Sequence, residues 1–181
     1  MDNLERAFNE RDKDLYETLL DERYLFTEDD CLGNLVFENG REEELEIMGT
    51  RDGSTRGIFD VFRTVTWKFQ LIERKTELGR DHPMAFEGDP DGHPDEDWEV
   101  FRGKVEILLL KTDDDGFFVD QTMTFKLREG DDGIWRIVRW IDDPLVGDDC
   151  GGEPEEEEEG SAKAGPTLLP SVSWSALKLA G

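Results

Sequence analysis

The side chains best placed to handle a polar group among apolar ones are an amide, a guanidinium and two phenols. Phe117, Val119, Gln121, Met123, Phe125 and Leu127 occupy alternate positions, and in a strand they share one face. Gln121 is the polar member of that face, able to donate to and accept from a ligand held between apolar walls. Trp135, Ile137, Arg139 and Ile141 share a face in the same way. Arg139 would then point among apolar neighbours, where a guanidinium needs a carboxylate from the protein or from a ligand. Tyr16 and Tyr24 offer hydroxyls from a helix and from the first strand. The plainer alternative is that Gln121 bonds backbone and Arg139 pairs with a local acid.

Acid–base chemistry needs a poised group. His82 and His93 are the only histidines, and both fall in a loop rich in proline and glycine. With 46 acidic residues, any pair of carboxylates can be singled out, so no pair carries a signal. Asp120 sits mid-strand on a polar face and is expected to be exposed or paired across strands. The run Asp89-Pro-Asp91-Gly92-His93-Pro-Asp95-Glu96-Asp97 is dense in the oxygen ligands calcium takes. It lacks a glutamate at the twelfth position and flanking helices, so a hydrated acidic turn is expected there. No metal and no cofactor are expected. Cys31 and Cys150 each follow two aspartates, which disfavours a thiolate. Whether they pair stays open.

Acids outnumber bases 46 to 21, for a formal net charge of −25. Eight of the acids and two lysines lie past Pro144, so most of the charge belongs to the residues before it. A field of this sign repels nucleic-acid phosphates and anionic lipid. It favours solubility, including at high salt, and it also suits a cationic partner. The longest apolar run, Ile107–Leu110, is too short to cross a bilayer. Met1 leads directly into an amphipathic helix, so no signal peptide and no membrane insertion are expected. The compartment is open: the cytoplasm, or outside it if a leader has been removed.

The elements follow from periodicity. Leu4, Ala7 and Phe8 have helical spacing, and Asp12 is expected to cap a second helix carrying Leu15, Tyr16, Leu19 and Leu20. Short strands are predicted at Tyr24–Thr27 and Leu35–Phe37. A helix follows over Glu42–Thr50 with Leu45 and Met48 inward, then a turn through Ile58, Phe59 and Phe62 capped by Ser54. Long strands begin at Val65, Trp98, Phe117 and Ile134, with tight turns at Asp113–Gly116 and Gly130–Gly133. Phase slips at Leu71–Ile72 and near Gly103 predict β-bulges. Helices first and long strands after them predict an α+β fold with helices on one face of an antiparallel sheet. Leu108, Leu110, Ile134, Val138 and Trp140 would make the other face apolar as well. That face needs a cover, either a second copy in a homodimer or the chain's own terminal segment.

Three parts are expected: a domain over 1–144, an acidic flexible linker over 145–167, and an apolar segment over 168–181. Glu155–Glu159 is a like-charge block that cannot pack. Leu168, Leu169, Val172, Trp174, Leu177 and Leu179 have too much to gain from burial to stay in water. Ser173 is placed to cap a last turn. This segment is expected to dock on its own domain or on a partner.

Two patches resemble known domains. The opening Leu4-x-x-Ala7-Phe8, Arg11-Asp12, Tyr16-x-x-Leu19-Leu20 and Tyr24-x-Phe26 is similar to the start of nuclear transport factor 2-like (SnoaL-like) domains. Gly133-Ile-Trp135-Arg-Ile137-Val-Arg139-Trp140-Ile-Asp142 is similar to their last strand. The resemblance spans roughly residues 1 to 144 and implies a cone-shaped roll of curved antiparallel sheet on N-terminal helices, the cystatin-like architecture. Similar domains include ketosteroid isomerase, scytalone dehydratase, polyketide cyclases, transport adaptors and many bacterial proteins of unknown role, so the fold does not name a function. It implies a pocket in the cone, for which Tyr16, Tyr24, Trp67, Gln121, Met123, Trp135 and Arg139 are the candidate lining. The first expectation is a non-catalytic domain that binds a small apolar ligand or a protein. The alternative is an isomerase, dehydratase or cyclase acting on a hydrophobic carbonyl compound. A third reading is an interaction module with a tethered docking peptide.

Overall fold

The structure, a computed structural model, describes residues 1–30, 32–143 and 169–179. The acidic stretch 145–167 and both cysteines lie outside the described residues.

Apolar spacing in the first twenty residues builds two helices. The first, α1 (Asp2–Glu10), buries Leu4, Ala7 and Phe8. It ends at Arg11, whose φ of 54° is left-handed, and the N–H groups of Arg11 and Asp12 close on the carbonyls of Phe8 and Ala7. Asp12 then caps α2 (Lys13–Leu19), accepting from the Leu15 N–H at 2.9 Å. This break redirects the chain and turns Tyr16 inward, edge-on to Phe8 at 5.5 Å.

Six strands form one sheet: β1 (Leu20–Asp29), β2 (Leu35–Gly40), β3 (Thr64–Glu77), β4 (Trp98–Leu110), β5 (Gly116–Glu129) and β6 (Trp135–Asp142). Their order is β2-β1-β6-β5-β4-β3. Every neighbouring pair is antiparallel except β1 and β6, which run parallel. The sheet is therefore mixed rather than wholly antiparallel: β1, reached from the helices, adds beside β6 at the end of the β3–β6 meander. Between β2 and β3 lie α3 (Arg41–Met48) and α4 (Ile58–Val61). The short α4 starts after Gly57, not at Ser54, and Asp60 accepts the Gly57 N–H at 3.1 Å.

Two of the sheet's register shifts bear on the site. Leu71 pairs with Gly103 and Glu73 with Arg102, leaving Ile72 as the extra residue of β3. Gly103 is needed there, because a Cβ would stand 2.4 Å from the Phe69 ring. In β6, Arg139 pairs with Lys126 and Ile137 with Leu127, so Val138 is extra. Ile137 and Trp140 both reach the main core, while Arg139 between them turns to the other face.

The core fills the side of the sheet that faces the helices. Phe8, Tyr16, Phe26, Phe59, Trp67, Met123, Phe125 and Trp140 are buried there. The far end of the outer face is covered by the loop 79–97. His93 stacks on Trp98 at 3.8 Å, Asp91 pairs with Arg139, and Glu96 pairs with Arg23 and Arg128. No helix among the described residues is long and apolar enough to cross a membrane.

Candidate functional site

The bent sheet and its helices enclose a hollow, and a short terminal helix, α5 (Trp174–Leu179), fills it. Residues 170–172 first join the sheet where β6 leaves off. The Phe118 N–H donates to the Pro170 carbonyl at 3.1 Å, and the Val172 N–H donates to the Phe118 carbonyl at 3.0 Å. Ser173 caps the turn by accepting from the Ala176 N–H at 3.0 Å. The Trp174 N–H then donates to Gln121 Oε1 at 2.8 Å. The Trp174 ring is fully buried, parallel to Trp140 at 6.1 Å and 5.7 Å from Phe8.

One turn later on the same helix face, Lys178 carries an ammonium into the interior. Its Nζ donates to Glu44 Oε2 at 2.5 Å, and neither side chain is exposed. The ammonium also sits 3.4 Å over the Phe26 ring, with Trp140 and Trp174 at 5.4 and 5.5 Å. Glu44 is anchored from the other side by Tyr16 Oη at 2.7 Å and Asn39 Nδ2 at 2.8 Å. Asp142 completes the cluster, accepting from Trp140 Nε1 at 3.1 Å.

Acids outnumber bases in this interior: Glu44, Asp142 and Glu28 all face Lys178. Burial pushes the Asp142 carboxyl well above its ordinary range, against the pull of Lys178. Burial raises Glu28 as well, with the same opposition. Burial lowers Lys178, while Glu44 acts to raise it. Tyr16 and Tyr24 are both raised well above a free phenol, first by burial and then by the charge of Glu44. The Tyr24 hydroxyl, Gln121 Nε2 and Asp142 Oδ2 are buried without a hydrogen-bond partner among the described residues.

Of the residues singled out from the sequence, Tyr16, Tyr24, Trp67, Gln121 and Met123 stand together around this hollow. Arg139 and Trp135 do not. The Val138 bulge turns Arg139 to the outer face, where Asp91 of the loop takes it at 3.2 and 3.3 Å. Trp135 opens β6 at the rim, 40% exposed, beside Met1, Leu4 and Leu19. Glu44 and Lys178 were not legible beforehand. One signal for Lys178 was its place four residues after Trp174, on the same helix face. Glu44 sits in the run Arg41-Glu-Glu-Glu-Leu-Glu-Ile-Met48, four residues before an inward methionine.

The remaining candidates serve the fold. Asp120 pairs across strands with Lys104 at 3.1 Å. Most carboxylates of the acidic loop bond the chain itself: Asp89 accepts from the N–H groups of Ala85 and Asp91, Asp97 from Gly79, and Asp91 pairs with Arg139. This loop and the outer face bound an open cleft of about 610 Å³, with Met84, His93, Trp98 and Val138 on its walls.

No protein-family model matches the sequence, and no curated protein matches it. Solved structures do match in shape. A proposed aromatic ring hydroxylase from Novosphingobium aromaticivorans is 17% identical over 81% of this chain and 85% of its own, with a TM-score of 0.52. A conserved protein from Planctomyces limnophilus is 12% identical over 78% and 87%, TM-score 0.52. A nuclear transport factor 2 superfamily protein from Salmonella enterica is 14% identical over 84% and 91%, TM-score 0.50. At such identities the likeness speaks for architecture: helices packed on the face of a bent six-stranded sheet, enclosing a hollow, give this chain the nuclear transport factor 2-like fold.

Proposed function

We propose that this protein is a non-catalytic binding domain whose hollow receives a helical segment carrying an aromatic ring and an ammonium group, supplied here by its own C-terminus. The observation that supports this reading is the Glu44–Lys178 pair inside a ring of Phe26, Trp140 and Trp174. An excess of buried carboxylates selects a cation, and the aromatic walls select one with an apolar stem. The interior is filled by side chains of the chain itself, so a small apolar ligand would have to displace α5. Tethering lets a weak contact persist, because the segment is held near its site at an effective concentration on the order of millimolar.

A full-length Trp174→Ser/Lys178→Ser variant tests this. Its hollow should bind a labelled peptide of residues 169–181, read by fluorescence anisotropy. Wild type should bind the same peptide far more weakly, since its own tail competes. If the variant is folded and binds the peptide no better than a scrambled one, the reading is wrong.

A second reading, an isomerase, dehydratase or cyclase acting on a hydrophobic carbonyl compound, is favoured by one observation. Asp142, whose Oδ2 has no partner among the described residues and whose pKa burial raises, shares the hollow with the unpartnered Tyr24 hydroxyl, and together, with the carboxyl protonated, they could hydrogen-bond a carbonyl oxygen. In that case α5 would be a gate, and the Trp174→Ser/Lys178→Ser variant would gain turnover instead of peptide binding. Outside the hollow, the half-buried Leu108, Leu110 and Phe118 of the outer face are the surface on which a homodimer would form.

A further inference from the structure

The chain has two histidines, and the 79–97 loop brings both to one carboxylate. Ligand atoms of Glu77, His82 and His93 all lie within 4.8 Å of one another. His93 is the fixed member. Its ring is buried against Trp98, 3.8 Å away at 13°. Its Nδ1 lies 2.8 Å from the Glu96 carbonyl oxygen. A carbonyl only accepts, so Nδ1 carries a proton, and in the neutral ring the lone pair is on Nε2. That Nε2 is buried, has no hydrogen-bond partner among the described residues, and faces Glu77 Oε2 at 3.9 Å. A backbone carbonyl behind an imidazole, with the opposite nitrogen bare and aimed at a carboxylate, is how proteins orient a metal-binding histidine. His82, half-buried, lies parallel to His93 at 4.7 Å.

We propose that Glu77, His82 and His93 form a binding site for a borderline divalent transition metal, with zinc the best match. Two imidazoles and one carboxylate supply donors that zinc takes at about 2.0–2.2 Å, with water in the fourth position. Tetrahedral bonds of that length put donors about 3.3 Å apart, so the cluster must close slightly. His93 is already aimed, and His82 turns out of its stack to complete the set. Calcium and magnesium prefer oxygen donors and fit poorly. Lys126 is the competitor: its Nζ lies 3.0 Å from Glu77 Oε2, and Asp91 is at hand to keep it at 3.4 Å. Glu77 belongs to β3 and both histidines to the loop, so the metal would pin the loop to the sheet. The site lies outside the hollow and does not depend on what the hollow binds.

The test is calorimetric titration of the full chain, stripped with a chelator, using zinc, with calcium and magnesium for comparison. Wild type should take up one equivalent of zinc in preference to the other two. His82→Ala and Glu77→Gln should each weaken zinc by about tenfold or more. Lys126→Met, which removes the competing ammonium, should bind zinc at least as tightly as wild type. Circular dichroism checks that each variant is folded, and His82 is chosen over His93 because its ring can be lost without unstacking Trp98. Absence of zinc binding by the folded chain overturns the proposal. So does binding that survives both His82→Ala and Glu77→Gln unchanged, which would mark scattered surface carboxylates as the ligands.

Discussion

Replacing Lys178 by methionine tests the interior ion pair most directly. Methionine keeps an unbranched apolar stem of similar reach and deletes the ammonium. Glu44 would lose its 2.5 Å partner but keep Tyr16 and Asn39. Removing one member of a buried pair costs about 3–5 kcal/mol, and the two surviving hydrogen bonds place the expected cost near the lower end, about 3 kcal/mol. The chain has a cheaper escape, however. Burying Trp174 and Leu177 is worth about 1.5–3 kcal/mol each, while ordering the α5 backbone costs about 1–2 kcal/mol per residue. With the cost of a stranded Glu44 carboxylate added, these terms no longer favour docking, so α5 should leave while the sheet stays folded. Hydrogen exchange should then show the amides of Trp174 and Leu177, which donate to Gln121 and to the Ser173 carbonyl, losing protection. Urea unfolding followed by circular dichroism should show the sheet persisting. Adding Glu44→Gln removes the stranded charge, and the double variant should recover most of the protection, because a neutral pair of similar volume is often as stable as the buried ion pair. Full protection in Lys178→Met, with stability within about 1 kcal/mol of wild type, would refute the reasoning. A double variant no better than the single would refute it too.

Two further outcomes are expected. The Asp142 carboxyl titrates well above its ordinary value through burial, so it stabilises the fold while protonated. That contribution is full below the unfolded value of about 4 and is lost as pH rises through the raised one. Asp142→Asn, which keeps an acceptor for Trp140 Nε1, should flatten this decline and overtake wild type at the upper end, and parallel urea series from acidic to neutral pH with equal slopes would count against it. Asn9 Oδ1 accepts the Trp67 N–H at 2.7 Å, on the side of edge strand β3 that faces α1, so Asn9→Ala should cost about 1–3 kcal/mol by stranding that donor, with an unshifted urea midpoint as the contrary result.

Much of the framework was readable along the chain because it depends on near neighbours. The Asp12 cap, the break after α1, the bulge at Leu71–Ile72 and the inward face from Val119 to Phe125 all follow from spacing over a few residues. Gln121 stood out because its neighbours on that face are apolar, and it meets a backbone N–H in the hollow. Arg139 was placed on the wrong face by the same method. A strict alternation from Trp135 continues to Arg139, and nothing in the residue types of β6 reveals that Val138 is an extra residue. The need for covers on both sheet faces was legible, but their identities were not. The terminal segment fills the helix side, and the 79–97 loop, whose acidic run predicts only a hydrated turn, covers part of the other.

The amino-acid sequence by itself determined the element order, the caps at Asp12 and Ser173, the tight turns and most of the apolar stripes, since each arises from the residues beside it. Only the tertiary structure decided which charges meet. Glu44 is chemically identical to the acids around it, and its partner Lys178 lies 134 residues away. The packing of α3 on β1 and the docking of α5 on β5 bring that one carboxylate to that one ammonium. The pairing of His82 and His93 at Glu77 was decided likewise, by how a loop folds back over a face whose register no local pattern records.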